Sequence, residues 1–136
     1  MKDFNVSVTA IFSRLVRDYM SVAPPTVSTT TPCGKVSRIM RDFPSSSVVI
    51  ASPDGRPMGI ITEQDVVRRI VFLNPATTPV TEVMTSPLKT IHDDDYLFHG
   101  IAIMHRHGLR HLPVVDKSGH LTGILHLHDA LSGSIS

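Results

Sequence analysis

Residues 59–65 read GIITEQD and residues 123–129 read GILHLHD. The chain thus runs twice from a glycine through apolar residues to a polar residue with an aspartate three positions later. In the first stretch that pair is Thr62 and Asp65; in the second, His126 replaces the hydroxyl ahead of Asp129. Thr-x-x-Asp before an apolar run is a capping-box pattern, in which hydroxyl and carboxylate satisfy N–H groups that a helix start leaves without partners. The same groups could hold a ligand, and the roles are compatible, since a hydroxyl can cap the empty helix and turn to a ligand when one is bound. His105, His107, His111, His126 and His128 raise a second chemistry, because imidazoles are common ligands of zinc and related ions. Their spacing argues against it. His105 and His107 diverge on a helix, His126 and His128 straddle a strand-to-helix junction, and no Cys or Glu pattern completes a set, so no metal site is expected. Cys33 lies near a helix start with no base placed beside it and is expected to be a packing residue. Asp93, Asp94 and Asp95 favour the N-terminus of the helix that follows them.

Composition narrows the function classes. A chain of 136 residues can bury roughly two thirds of its unfolded surface and needs no metal or disulfide staple. Lys plus Arg number 13 and Asp plus Glu 12, with no basic run and no tryptophan, so a nucleic-acid surface is not expected. The first twenty residues scatter charges through any apolar stretch, so neither a signal peptide nor a membrane span is expected. The single cysteine is what a reducing compartment permits, and a cytoplasmic location is expected. Eight histidines, a residue type whose unperturbed pKa is about 6.5, should raise the net charge quickly below neutrality.

The elements that must position these residues come from a repeat. An offset of 64 residues, without a gap, pairs Val16 with Val80, Met20 with Met84, Thr26 with Thr90, Ile39 with Ile103 and Met40 with Met104. It also pairs Gly55 with Gly119, Gly59 with Gly123, Ile60 with Ile124 and Asp65 with Asp129. In the first copy Thr31 is the expected N-cap, with Pro32 at the first helical position. Val36, Ile39, Met40 and Phe43 recur at helical spacing, answered by Leu97, Ile101, Ile103 and Met104, and Pro44 and Gly108 are the expected stops. Apolar runs at 48–50 and 112–115 suit buried strands, and the turns at 53–55 and 117–119 return each as a hairpin into strands 58–61 and 121–125. Helices then begin near Thr62 and His126. The expected fold class is α/β: two β-α-β-β-α repeats, residues 16–72 and 80–131, packed through a pseudo-twofold axis that buries the face one copy leaves open. Residues 73–79 form the connector, and residues 4–19 an extra N-terminal helix with Ile11, Leu15 and Val16 on one side.

This layout, its period, the words MTSP at 84–87 and GLRHLPVVD at 108–116, and GIITEQD resemble the cystathionine β-synthase (CBS) domain pair, or Bateman module, over nearly the whole chain. The words TEQDVVRRI and VTEVMTSP are also similar to CBS pairs inside larger bacterial signalling proteins that carry cyclic-nucleotide-binding and nucleotidyltransferase-like domains. The resemblance implies one CBS pair over residues 1–136, a regulatory module without catalysis. It implies binding of AMP, ADP, ATP, NAD or S-adenosylmethionine between the copies, association into a homodimer, and transmission to an effector domain or partner. Carried onto this chain, one cleft would combine Ile60, Thr62, Gln64 and Asp65 with Leu88, Lys89, Leu109, Arg110, His111 and Pro113.

These residue types suit that ligand. A helix N-terminus attracts phosphate, to which Thr62 can add a donor. Asp65 can accept from ribose hydroxyls, as acidic residues do in dinucleotide-binding folds. Arg110 offers a planar fork to phosphate oxygens, His111 a hydrogen bond or a proton, and Ile60, Leu88 and Leu109 apolar surface for adenine. The second cleft would use Pro24, Pro25, Ser46, Ser47, Ile124, His126, His128 and Asp129. It departs from the pattern, because Ser46 and Ser47 stand where Arg110 and His111 stand in the other copy and Val49 replaces Pro113. With that charge gone it is expected to be weaker, empty or altered in ligand choice. Two rival functions are a ligand-free dimerisation scaffold and a histidine-based metal or pH sensor. The sequence leaves open which adenosyl ligand is bound and whether the chain is complete or part of a longer protein.

Overall fold

The computed structural model describes residues 12–43, 45–71, 75–86 and 88–135. In chain order the elements are a 3-10 turn (Val16–Asp18), β1 (Ser21–Val22), β2 (Thr26–Val27), α1 (Cys33–Asp42), β3 (Ser47–Ala51) and β4 (Pro57–Thr62). Next come α2 (Glu63–Asp65), a π-helical continuation (Val66–Val71), a second 3-10 turn (Val80–Glu82) and β5 (Ile91–His92). The chain ends with α3 (Leu97–His107), β6 (His111–Val115), β7 (Leu121–His126) and α4 (Leu127–Ile135). The mixed α/β class and the two strand-helix-strand-strand-helix repeats read from sequence are present. The expected N-terminal helix falls mostly outside the described residues; residues 12 and 13 are helical, but Leu15 is extended (φ −106°, ψ 151°), so the helix does not continue to residue 19.

Two compact units divide the chain, Pro24–Leu88 and Met1–Ala23 with Lys89–Ser136. In the first, parallel β2 and antiparallel β4 flank β3; in the second, the strand order is β1-β7-β6-β5. The core of the first gathers Cys33, Val36, Val48, Ile50, Ile61, Ile70, Val80 and Val83. That of the second gathers Val16, Ile91, Leu97, Met104, Leu112, Val114, Leu125 and Ala130. Each fully buried aliphatic side chain of this size contributes about 1.5–3 kcal/mol of hydrophobic stabilisation.

The units differ from the sequence repeats in one respect: the leading segments are exchanged. Val16, which opens the first repeat, is buried with the second repeat's core, and Val80, which opens the second, with the first's. The hydrogen bonds obey the 64-residue offset through the exchange. Val16 N–H donates to the Asp95 carbonyl at 2.9 Å and Val80 N–H to that of Thr31 at 2.9 Å; Leu97 N–H donates to Arg14 and Cys33 N–H to Thr78, at 2.8 and 2.7 Å. Ser21 of β1 pairs with Ile124, and its counterpart Thr85 forms a bridge with Ile60.

This exchange corrects the reading of α1. Pro32, not Thr31, is the N-cap, and no side chain caps the helix, because its first N–H groups, Cys33 and Gly34, are taken by the carbonyls of Thr78 and Ala76. The Thr31 hydroxyl turns instead to Ser28 at 3.1 Å. Pro44, the expected stop, lies outside the described residues; Gly108 ends α3 in the left-handed conformation at φ 65°, as a glycine can without strain. The exchange also accounts for two pairs of repeat identities. A Cβ on Gly59 would run into Met84, 2.7 Å from its Cγ, and one on Gly123 would lie 2.6 Å from the Ser21 carbonyl oxygen and 2.8 Å from Met20 Sδ. Each glycine admits the leading segment of the other repeat.

Candidate functional site

Ser46, Ser47, Thr62 and Asp65 in one unit, and Arg110, His111, His126 and Asp129 in the other, lie where the central hairpin meets the following helix. In the unit Pro24–Leu88, β3 opens at Ser47 opposite Thr62 of β4, and Glu63 N–H donates to the Ser46 carbonyl at 3.1 Å. In the other, His111 stands opposite His126, and Leu127 N–H donates to the Arg110 carbonyl at 2.9 Å. Matched positions thus carry two hydroxyls in one unit and two imidazoles in the other.

Thr62 and Asp65 form the capping box expected from their spacing. Thr62 N–H donates to Asp65 Oδ2 at 2.9 Å, the Thr62 hydroxyl donates to the same oxygen at 3.1 Å, and Asp65 N–H reaches back to Thr62 Oγ1 at 3.4 Å. Asp65 is only 8% exposed. Its other oxygen, Oδ1, lies 3.7 Å from Arg69 Nε, an ion-pair distance too long for a hydrogen bond. A carboxylate accepts about four hydrogen bonds, so Asp65 caps its helix with acceptor capacity left. Arg69 is a contributor that the sequence reading omitted: besides facing Asp65 it donates to the carbonyl of Val83 at 3.2 Å, tying the start of α2 to the exchanged segment. Its i,i+4 spacing from Asp65 was the available signal.

In the same unit, Ile60 is buried and Gln64 exposed; Leu88, Pro24 and Pro25 are half-buried, and the Pro25 carbonyl accepts from Val49 N–H at 3.0 Å. Ser47 is buried and Ser46 half-buried. In the other unit Lys89 and Arg110 are exposed, Leu109 and His111 half-buried, and Pro113 and Ile124 buried. The His111 and His126 rings meet edge to face with centroids 5.2 Å apart. His126 Nδ1 is buried without a hydrogen-bond partner among the described residues, 3.7 Å from Asp129 Oδ2. The second stretch therefore lacks the closed box of the first, since an imidazole and a half-exposed Asp129 replace the hydroxyl and the buried carboxylate. His128 is exposed. Among the described residues no three His, Cys, Asp or Glu side chains converge as a metal site would require, and no helix is long and apolar enough to cross a membrane.

Residues 16–72 and 80–135 each match the family model of the CBS domain. The chain belongs to the CBS domain family. An uncharacterized protein of Methanopyrus kandleri is 34% identical over 108 residues, 78% of this chain and 55% of that protein, so the chain spans about half the length of that relative. A conserved protein of Pyrococcus horikoshii superposes with a TM-score of 0.80 at 28% identity, covering 92% of this chain and 95% of the other. Two CBS structures share the fold at TM-score 0.77 and 24% identity. One is a CBS domain pair in complex with 5'-methylthioadenosine and S-adenosyl-L-methionine, covering 87% of this chain and 93% of its own. The other is a CBS domain protein of Pyrobaculum aerophilum complexed with AMP, covering 85% and 88%.

Proposed function

We propose that this CBS pair is a regulatory, non-catalytic module that senses an adenosyl compound such as AMP, ADP, ATP, NAD or S-adenosylmethionine. One observation carries the reading most directly: Asp65 is nearly buried, yet Oδ1 keeps acceptor capacity after the capping box is formed. A ribose diol matches that oxygen, and the N-terminus of α2 suits a phosphate. Ile60, Thr62, Gln64 and Asp65, together with Leu88, Lys89, Leu109, Arg110, His111 and Pro113, are the residues proposed to hold the ligand. Support for the adenosyl class comes from CBS structures of the same fold that hold AMP, or methylthioadenosine and S-adenosylmethionine. The second site, with Pro24, Pro25, Ser46, Ser47, Ile124, His126, His128 and Asp129, has no arginine at the Arg110 position and binds more weakly.

In this reading the ligand acts by differential affinity for two arrangements of the module, biasing an effector domain or partner, and the module works as a homodimer. A second reading, a scaffold without ligand, is favoured by the closure of the Thr62–Asp65 box, in which each group is already partnered within the helix start. Thermal melts separate the two. The midpoint rises with at least one adenosyl compound and not with its guanosine counterpart; no rise with AMP, ATP, NAD or S-adenosylmethionine contradicts the sensing function.

A further inference from the structure

In the unit Pro24–Leu88, Arg69 touches both the carboxylate of Asp65 and the exchanged segment. It lies in the π-helical turn Val66–Val71, a rare winding found mostly at functional sites. Its Nη1 donates to the Val83 carbonyl at 3.2 Å and lies 3.5 Å from that of Met84, while Nε stands 3.7 Å from Asp65 Oδ1. One guanidinium thus spans from the carboxylate to the backbone at 83–84. That segment is held in two further ways, by Met84 packed on Gly59 and by Thr85 N–H donating to the Ile60 carbonyl at 2.9 Å. From there the chain passes into the other unit at Lys89. The 64-residue offset turns Arg69 into Gly133 and Val83 into Tyr19. A Cβ on Gly133 would collide with the Tyr19 ring, so that ring takes the space a side chain at 133 would need. No basic side chain at the Arg69 position therefore faces Asp129.

The acceptor sites of Asp65 set ligand against arginine. Each carboxylate oxygen has two lone pairs. Oδ2 takes both the Thr62 N–H and the Thr62 hydroxyl, at 2.9 and 3.1 Å, which leaves Oδ1. A ribose diol brings two hydroxyls, enough to fill both lone pairs of Oδ1 and leave none for Arg69. The arginine's hold is the weaker, since 3.7 Å is beyond hydrogen-bond length and its side chain is 46% exposed. We propose that Arg69 is a displaceable latch: bound ribose releases it from Asp65 and so loosens its grip on the carbonyls of Val83 and Met84. Ligand occupancy is passed in this way to the segment that leads out of the unit, and reciprocally the latch opposes binding. This latch rests on the adenosyl reading of Asp65 and gives that site its regulation.

Amide hydrogen exchange followed by NMR tests it, read at Met84 N–H, which donates to the Val80 carbonyl at 2.9 Å, and at Thr85 N–H. In the ligand-free chain Asp65→Asn speeds exchange at both about two- to fivefold, as loss of one partly exposed ion pair does, and Arg69→Met acts alike. Added to Arg69→Met, Asp65→Asn changes little more, because the pair is already gone. Met20, the counterpart of Met84, is the control and keeps its exchange rate. The ligand probe is 5'-methylthioadenosine, which carries the ribose diol without a phosphate to attract the guanidinium. It speeds exchange at Met84 and Thr85 in the wild type but not in Arg69→Met. By calorimetry it binds Arg69→Met about two- to fivefold more tightly than the wild type. Arg69→Lys, which keeps the charge without the planar fork, falls between them. Circular dichroism checks the folds. Equal or weaker binding by Arg69→Met, as a purely structural arginine gives, overturns the proposal, and so does an Asp65→Asn effect that persists undiminished in Arg69→Met. A wild type that binds no methylthioadenosine counts against the ligand site, whereas the ligand-free comparison still decides the latch.

Discussion

Replacing Asp65 by alanine removes, in the ligand-free protein, both hydrogen bonds that Thr62 gives to Oδ2, at 2.9 and 3.1 Å. It leaves the Thr62 N–H without its carboxylate at a half-buried helix start. A hydrogen bond to a charged group contributes about 1.5–3 kcal/mol, and loss of a helix cap costs about 0.5–2 kcal/mol. The two descriptions overlap, so about 2–3 kcal/mol is expected in all. The Arg69 contact adds little, since that side chain is 46% exposed and the pair is screened. For a chain of 136 residues the unfolding entropy is roughly 290 cal/mol/K, so the melting midpoint should fall by about 7–10 °C. The matched change Asp129→Ala is the internal control. Its carboxylate is 50% exposed and 3.7 Å from His126, so its loss should cost below about 1 kcal/mol. Urea unfolding monitored by circular dichroism, with any co-purifying ligand removed, reads both variants. Losses of equal size, or an Asp65→Ala loss below about 0.5 kcal/mol, would refute the claim that this box is a closed structural device in one repeat and an open one in the other.

Further predictions follow from the exchanged segments and the site. Gly123→Ala should destabilise near the top of the about 1–3 kcal/mol range for overpacking, because the new methyl meets the Ser21 backbone. Gly59→Ala should cost less, because it meets the flexible end of Met84; equal midpoints in urea would count against the difference. Burial pushes the Cys33 thiol above its ordinary value of 9.0, more than nearby backbone hydrogen bonds lower it. The raised folded pKa means this stabilisation is present below about pH 9 and is lost as pH rises through the folded value. Cys33→Ala should therefore flatten the alkaline fall in stability, and a fall unchanged in the variant would contradict this. Arg110→Ala, at an exposed position, should leave the melting midpoint almost unchanged while weakening a phosphate-bearing ligand by about 10–100-fold in a binding titration.

The hairpins, the two strand-helix-strand-strand-helix units and the Thr62–Asp65 box were legible because each is specified locally, by turn glycines, apolar runs and a three-residue spacing. The exchange of leading segments was not. A gapless offset relates Val16 to Val80 whichever core each enters, and only the packing of Met84 on Gly59 and of Met20 on Gly123 decides between them. Thr31 was misread as a cap for the same reason: the N–H groups of α1 are satisfied by carbonyls more than forty residues away, which no local pattern reports. The π-helical turn Val66–Val71, VVRRIV, likewise contains no glycine or proline that would mark a departure from an ordinary helix. In the site, residue types signalled that the two repeats differ chemically, but not that His111 and His126, assigned to different clefts, sit ring against ring in one unit.

Isothermal titration calorimetry of the wild type with AMP, ATP, NAD and S-adenosylmethionine, repeated with Asp65→Ala, tests the sensing function most directly. At least one of these compounds should give saturable heat with the wild type, dominated by one site per chain, and that heat should vanish in the variant while the variant remains folded. No saturable heat from any of the four, or binding left intact in folded Asp65→Ala, would contradict the assignment of Asp65 and its neighbours to an adenosyl ligand.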